Sequence, residues 1–352
     1  MNSDQTNVFT VCESDIRVVL NDFGIETGPL LIQELQRSHY EKNDPTTREV
    51  RLIVKADVGN GRSFVIRFKN ETNAPIETIE AQSRFAALLY AQGIETPQNY
   101  LSNGSYARKY SINGYNVTAT VEDFKAGELH IVDEETAEKT GELLARMHEI
   151  AERNDWHVKS PVLFDPLADN DLFSYDGFIK HEAYLRTVDE PLFIKIVREH
   201  SILDQAVRSF ETEPRYAVQG DISDCNLYRT EDGRIGIFDF NWCGDNNLFY
   251  DAVMQAIFES TLMDYPEEMG ENRERLILTA FLRGYRRIRP FTEEQNAVFP
   301  SLHALVSAFE YGDMVSKKQS LAKAVESRDP VATQQWMVTI YRREQVLLPM
   351  PI

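Results

Sequence analysis

The chain has 352 residues, 42% hydrophobic and 26% charged, with a formal net charge of −19. That length suggests two domains or lobes, and the composition is that of a folded globular chain rather than a disordered or fibrous one. The acidity argues against nucleic acid and against anionic membrane surfaces, both of which need basic partners, and it is compatible with a cationic small molecule. Cys12, Cys225 and Cys243 form neither a disulfide framework nor a zinc spacing. No apolar run approaches the roughly 18 residues of a membrane span. Residues 1–10 lack the basic start and apolar centre of a signal peptide, so a cytoplasmic location is expected.

In chain order, residues 14–23 read as a short amphipathic helix with Ile16, Val19 and Leu20 on one face, closed by Gly24. Strands follow at 31–35, 50–55 and 63–69, each β-branched or alternating. Gly59-Asn60-Gly61 is a hairpin turn between the second and third. The polar loop 37–48 carries no glycine, so the G-x-G-x-x-G phosphate loop is absent. A helix over 76–92 ends at Gly93, and Thr96-Pro97 opens a further strand. Strands at 106–111 and 115–123 flank the turn Asn113-Gly114. Asp133 caps a helix over 134–153, whose inner face includes Gly141, Leu144 and His148; that histidine reads as packed structure, not as a ligand. Residues 156–175 are irregular, with the acidic run Asp169-Asn170-Asp171, and serve either as a surface crossover or as a pocket wall. Helices at 181–185 and 191–210 lead into the most informative stretch.

That stretch is 216–239. An apolar run stops at Gln219-Gly220, Asp221 follows, and Asn226 lies five residues on. Short strands at 225–228 and 235–238 flank the turn Glu231-Asp232-Gly233, and Asp239 ends the second. Asp-x-x-x-x-Asn, a hairpin and a strand-terminal Asp form a phosphoryl-transfer pattern. The residue types suit the chemistry. Mg2+ bridging the phosphates of ATP takes hard oxygens, which Asn226 and Asp239 supply, and Asp221 can orient an acceptor hydroxyl and take its proton. Singly, each of these residues is better explained as a turn former or a strand end; the spacing, with the hairpin between, carries the reading. Beyond Asp239, Asp245 and Asp251 are expected to accept backbone N–H bonds that tie the following loop to this segment. The remainder reads as helices at 252–263, 272–288, 292–317, 318–327 and 330–341. Glu259, Glu310 and Asp313 on them are not distinguishable from solvated charges.

Q-G-D-x-x-x-x-N, I-F-D-F and then Gly244-Asp245 with Tyr250-Asp251-Ala252 resemble the aminoglycoside phosphotransferase and choline kinase-like family, whose usual form is H-G-D-x-x-x-x-N, I-D-W and G-D-P-x-x-D-L-A. The resemblance is sharp over about 215–255. Residues 281–295 are similar to the homoserine kinase-like branch. It implies an α+β, protein-kinase-like two-lobed fold: a small antiparallel β-sheet lobe over 1–123 and a larger, mostly helical lobe over 124–352. The implied activity is ATP- and Mg2+-dependent phosphorylation of a hydroxyl on a small polar molecule, by a monomer or homodimer. Gln219 departs from the family's His; it keeps hydrogen-bonding capacity but cannot carry a proton. By the kinase register, Arg67, or else Lys69, binds nucleotide phosphates, and Glu80, or else Glu77, pairs with that cation. The backbone of Glu122, Asp123 and Phe124 forms the hinge that reads adenine. A protein Ser/Thr kinase and a nucleotide-binding pseudokinase are the alternatives. The short spacing from Asp239 to the next helix speaks against the first, and intact Asp221, Asn226 and Asp239 against the second.

Overall fold

The computed structural model describes residues 9–39, 49–59, 61–72, 74–168, 175–222, 226–310, 313–314 and 318–348. The polar loop over 40–48, Asn60, the acidic run 169–171, Cys225 and the predicted helix end at 315–317 lie outside the described residues. The chain divides into two compact units.

The first comprises Met1–Glu128, Tyr228–Asp232 and Gly236–Asn241. Helix α1 (Glu13–Asp22) starts where the Asp15 carboxylate accepts the Cys12 N–H at 2.8 Å, and its buried stripe is Ile16, Val19 and Leu20. Strands β1 (Leu31–His39), β2 (Val50–Asp57), β3 (Ser63–Asn70), β4 (Arg108–Ile112) and β5 (Tyr115–Asp123), with helix α2 (Ile76–Ala91) between β3 and β4, make one sheet in the order β1-β2-β3-β5-β4. Every neighbouring pair is antiparallel. Side chains alternate across a strand, and β3 uses both faces. Phe64, Ile66 and Phe68 enter the core with α1, Leu52, Val54, Val117, Ala119 and Val121. Val65, Arg67 and Lys69 occupy the opposite face, and all six are buried. The β4–β5 turn holds Asn113 and Gly114 at φ 51° and 79°, the double positive φ of a type I′ turn.

The second unit comprises Leu129–Leu227, Gly233–Ile235 and Trp242–Ile352. The elements from here on, in chain order, are α3 (Glu134–Arg153), α4 (Tyr175–Ile179), α5 (Glu182–Val207), β6 (Arg215–Val218), the hairpin of β7 (Leu227–Arg229) and β8 (Ile235–Ile237), β9 (Gly244–Asn247), α6 (Leu248–Leu262), α7 (Arg273–Ile288), α8 (Glu293–Ala308), α9 (Leu321–Glu326) and α10 (Pro330–Gln345), all but the hairpin lying wholly in the second unit. The residues of the β7–β8 hairpin are divided between the two units. Helices α3 and α7 touch through their backbones: a Cβ added to Gly141 would lie 2.0 Å from the Phe281 carbonyl oxygen, and one on Gly284 would lie 2.0 Å from that of Glu138. On the outside of the pair, Arg283 meets Glu138 at 2.5 Å, Arg289 meets Glu152 at 2.7 Å, and Arg287 pairs with Glu138 and Glu142. A separate core gathers Phe178, Leu185, Phe193 and Ile196 against Ala308, Phe309, Met337 and Ile340.

Several elements differ from the sequence reading. α5 is not one of them: 182–207 is broken by the non-helical backbone of Asp189 (φ −156°) into two helical segments, as expected there. The Asp189 carboxylate accepts the Leu192 N–H at 3.0 Å and restarts the helix beside Pro191. α6 begins four residues early, because the Asn247 side chain caps it by accepting the Phe249 and Tyr250 N–H groups. α8 ends at Ala308. Strand β9, absent from the sequence reading, pairs antiparallel with β6. Thr96-Pro97 opens no strand; that segment contributes a single bridge, Asn99 to Glu122. Among the described residues, no helix is long and apolar enough to cross a membrane.

Candidate active site

Within the first unit, the polar face of β3 meets the segment that follows β8. Arg67 places Nη2 2.8 Å and Nε 3.2 Å from Glu122 Oε1, and Nη1 3.3 Å from Asp239 Oδ2. Side-chain exposures of 11% for Arg67, 14% for Glu122 and 22% for Asp239 make these shielded, charge-assisted contacts. Burial opposes the charge on Arg67, but the two carboxylates outweigh it and raise its pKa. Burial also pushes against ionisation of Asp239, yet Arg67 and Lys69 hold its carboxyl below the usual range. Lys69, 5% exposed, is brought down to about 8 by burial, with Asp239 opposing that shift, and donates to Asn241 Oδ1. Asp239 itself sits at φ 60°. For a residue other than glycine this left-handed conformation stores on the order of 1–3 kcal/mol, and it persists only where neighbours hold it.

Two expectations are corrected here. Glu80 does not pair with Arg67: its carboxylate accepts the N–H groups of Tyr106 and Ala107 at 2.7 and 2.8 Å and meets Arg84 at 2.7 Å. Glu77, the other helix carboxylate considered, is exposed. The partner is Glu122, which lies on β5, the strand paired with β3. The expected adenine-reading donors are also engaged. Asp123 gives its N–H to the Gln98 carbonyl at 3.0 Å, Phe124 gives its N–H to that of Ser63 at 2.9 Å, and Glu122 pairs with Val65 across the ladder. The N–H groups of Asp123 and Phe124 are therefore taken by protein carbonyls.

Within the second unit, β6 delivers the loop that carries Asp221. Gly220 has φ 86°, and a Cβ there would lie 2.2 Å from the Trp242 carbonyl oxygen, so only glycine fits this close approach. Gln219 is fully buried, and its Oε1 accepts the Asp221 N–H at 2.8 Å. Glutamine thus keeps a backbone-bracing bond in the place of the family's histidine. The Asn226 Nδ2 donates to the Asp221 carbonyl at 2.9 Å. The Ile222 N–H donates to Gln255 Oε1 at 3.0 Å, and Gln255 Nε2 donates to Asp251 at 3.2 Å. Asp251 in turn bonds His148 Nε2 at 3.0 Å, and His148 Nδ1 bonds the Tyr285 hydroxyl at 2.8 Å. Burial lowers the His148 pKa, and Asp251 opposes the shift.

His148 is therefore a structural residue, as expected, but Asp251 is corrected. Among the described residues it acts through side chains, reaching the Asp221 loop by way of Gln255. Asp245 does accept a backbone N–H, that of Val158 at 2.7 Å, and pairs with His157 at 3.1 Å.

The sequence reading missed Gln82 and Asn241. Gln82 is 5% exposed, and its Nε2 donates to the Asn241 carbonyl at 2.9 Å. The signal was present: Ile79, Gln82, Ser83 and Ala86 lie at helical spacing on one buried stripe of α2, and an amide inside an apolar stripe needs a partner.

A magnesium ion takes a few hard oxygens from protein and the rest from phosphate and water. The low-pKa carboxylate of Asp239 and the amide oxygen of Asn226 are donors of that kind. Among the described residues, no cluster of three or more His, Cys, Asp or Glu forms a self-contained metal cage.

The family model described as the phosphotransferase enzyme family (APH) matches residues 49–291. Similar solved structures include an amicoumacin kinase in complex with AMP-PNP and Ca2+ (TM-score 0.62, 13% identity, 96% of this chain and 95% of that one). A microcompartment-associated aminopropanol kinase is also similar (TM-score 0.57, 15% identity, 94% and 99%). So is an aminoglycoside phosphotransferase from Alicyclobacillus acidocaldarius (TM-score 0.50, 13% identity, 89% and 93%). At these identities the likeness establishes the protein-kinase-like α+β fold. No curated protein sequence matches significantly. The family match spans more than half of the chain and contains Arg67, Asp221, Asn226 and Asp239: the chain belongs to the phosphotransferase enzyme family.

Proposed function

We propose that this enzyme transfers the γ-phosphoryl group of ATP to a hydroxyl of a small polar molecule, with Mg2+. The observation that carries the reading is the Asp221 loop. Its backbone is fixed by Gln219, Asn226 and Gln255, as a loop presenting one carboxylate to an acceptor must be. In the reaction the acceptor oxygen bonds to the γ-phosphorus and the bond to the β–γ bridging oxygen breaks. ADP leaves with that electron pair, and the hydroxyl proton passes to Asp221. Asn226 and Asp239 are the residues that would offer oxygens to Mg2+, which when bound would neutralise charge on the phosphates. Arg67 and Lys69 supply cations for phosphate oxygens, Arg67 in a fork. ATP dependence suits a cytoplasmic setting.

Two observations favour a small acceptor over a protein. Only residues 240–247 separate Asp239 from α6, too few for a long substrate-binding segment. Kinases named for aminopropanol, amicoumacin and aminoglycosides share the fold. The test is ADP release with ATP and Mg2+ across aminoglycosides, choline, ethanolamine, homoserine, hydroxylysine, methylthioribose and simple sugars, with Asp221→Asn as the blank. A compound-dependent signal lost in the variant supports the proposal. A flat panel with no nucleotide binding overturns it in favour of a scaffold.

A further inference from the structure

We infer that Gln82 and Lys69 are positioning residues for Asp239, acting through Asn241; the inference rests on the metal-ligand role proposed above for Asp239. In the kinase template a helix carboxylate fixes the strand cation. Here α2 does something else. Its carboxylates Glu77 and Glu80 are exposed or engaged elsewhere, and its buried Gln82 reaches past the cations to the Asn241 carbonyl at 2.9 Å. One turn on, the Phe85 ring meets Phe240 edge-on at 6.2 Å. From β3, Lys69 holds the Asn241 side chain. Asn241 passes these restraints back, since its N–H donates to Asp239 Oδ1 at 3.1 Å. Residues 239–241 are thus fastened at three points, to the α2 face, to β3 and to their own carboxylate, while Asp239 stays at φ 60°. The helix orients the metal ligand, and Glu122 has taken over the pairing of Arg67.

The experiment is calorimetric titration of the full chain with ADP, in the presence and absence of Mg2+, together with thermal unfolding. Gln82→Met keeps the bulk and removes the donor. It should weaken Mg2+-dependent ADP binding by roughly 10–100-fold, the usual effect of losing a residue that orients a metal ligand. Metal-free ADP binding and Tm should stay close to wild type, and turnover should recover as Mg2+ is raised. Asn241→Ala removes the Lys69 arm alone and tests the same claim if Gln82→Met does not fold. Unchanged Mg2+ dependence in both variants overturns the inference. So does an equal loss with and without metal, which would make Gln82 a packing residue only. Wild-type ADP binding indifferent to Mg2+ overturns the metal role of Asp239 and the inference with it, and is recognised from the wild type alone.

Discussion

Under the proposed function, the Asp221 carboxylate and the Asp239 carboxylate have separable tasks. Asp221→Asn keeps the shape of the side chain and the bonds that Gln219 and Asn226 make to the Asp221 backbone. Nucleotide affinity and unfolding temperature should hold while turnover falls by roughly 10²–10⁴-fold, the usual share of general-base catalysis. Steady-state kinetics beside a thermal melt checks this, and near-full activity would remove Asp221 from the base role. Asp239→Ala should abolish Mg2+-dependent nucleotide binding, measured by titration at fixed ADP. These residues were legible because they sit within 24 positions and their types are dictated by chemistry. The pairing of Arg67 was not. Glu77, Glu80 and Glu122 are equal carboxylates on paper, and only the register of β3 against β5, together with the engagement of Glu80 by Tyr106 and Ala107, separates them.

At the scale of elements, β-strands and long helices announced themselves through alternation and caps, as in the Asn113-Gly114 turn and the Asp133 cap, which accepts the Thr136 N–H at 2.8 Å. Irregular joins did not. β9 is four residues of polar sequence, and what makes it a strand is β6. The α3–α7 contact was likewise hidden, since a glycine in a helical pattern signals close approach without naming the neighbour. Gly284→Ala must push the added methyl against the Glu138 carbonyl, with no flexible side chain to give way. Overpacking of this kind costs about 1–3 kcal/mol or more. Urea unfolding should show at least that loss, and a neutral result would mean that α7 can slide along α3.

For the whole molecule, buried titratable groups set two opposing limbs of pH dependence. Burial lowers His200 and His303 from 6.5 to about 4, so the unfolded chain binds protons that the folded one refuses, and stability falls as pH drops from about 6.5 towards 4. Glu344, 1% exposed, is raised from 4.5 to about 9 by burial, with Glu199 adding to the shift. Here the folded chain keeps a proton that the unfolded one releases, so stability falls as pH rises from about 4.5 towards 9. Glu344→Gln should match wild type near pH 4 and exceed it at pH 8 by up to about 5 kcal/mol. His303→Gln should flatten the acid limb instead. Denaturation at a series of pH values separates the two limbs, and parallel curves for Glu344→Gln and wild type would mean that this carboxyl titrates normally.

The first unit closes only with residues found more than a hundred positions beyond its sheet. Glu95 accepts from the Tyr228 hydroxyl at 3.1 Å and from the Ile237 N–H at 3.0 Å, Arg229 donates its N–H to Gly127 at 2.8 Å, and Asp239 and Asn241 meet the buried cations of β3. On the ribosome, therefore, the five-stranded sheet emerges long before its last ligands exist. Until residue 241 is out of the tunnel, Lys69 has no Asn241 and Arg67 has only Glu122. Leaving a buried charge without a partner costs about 3–5 kcal/mol. A polypeptide ending at Glu128 should consequently show strand structure without a sharp cooperative melt, and the nascent chain should stay sensitive to protease well after its N-terminal sheet has been synthesised.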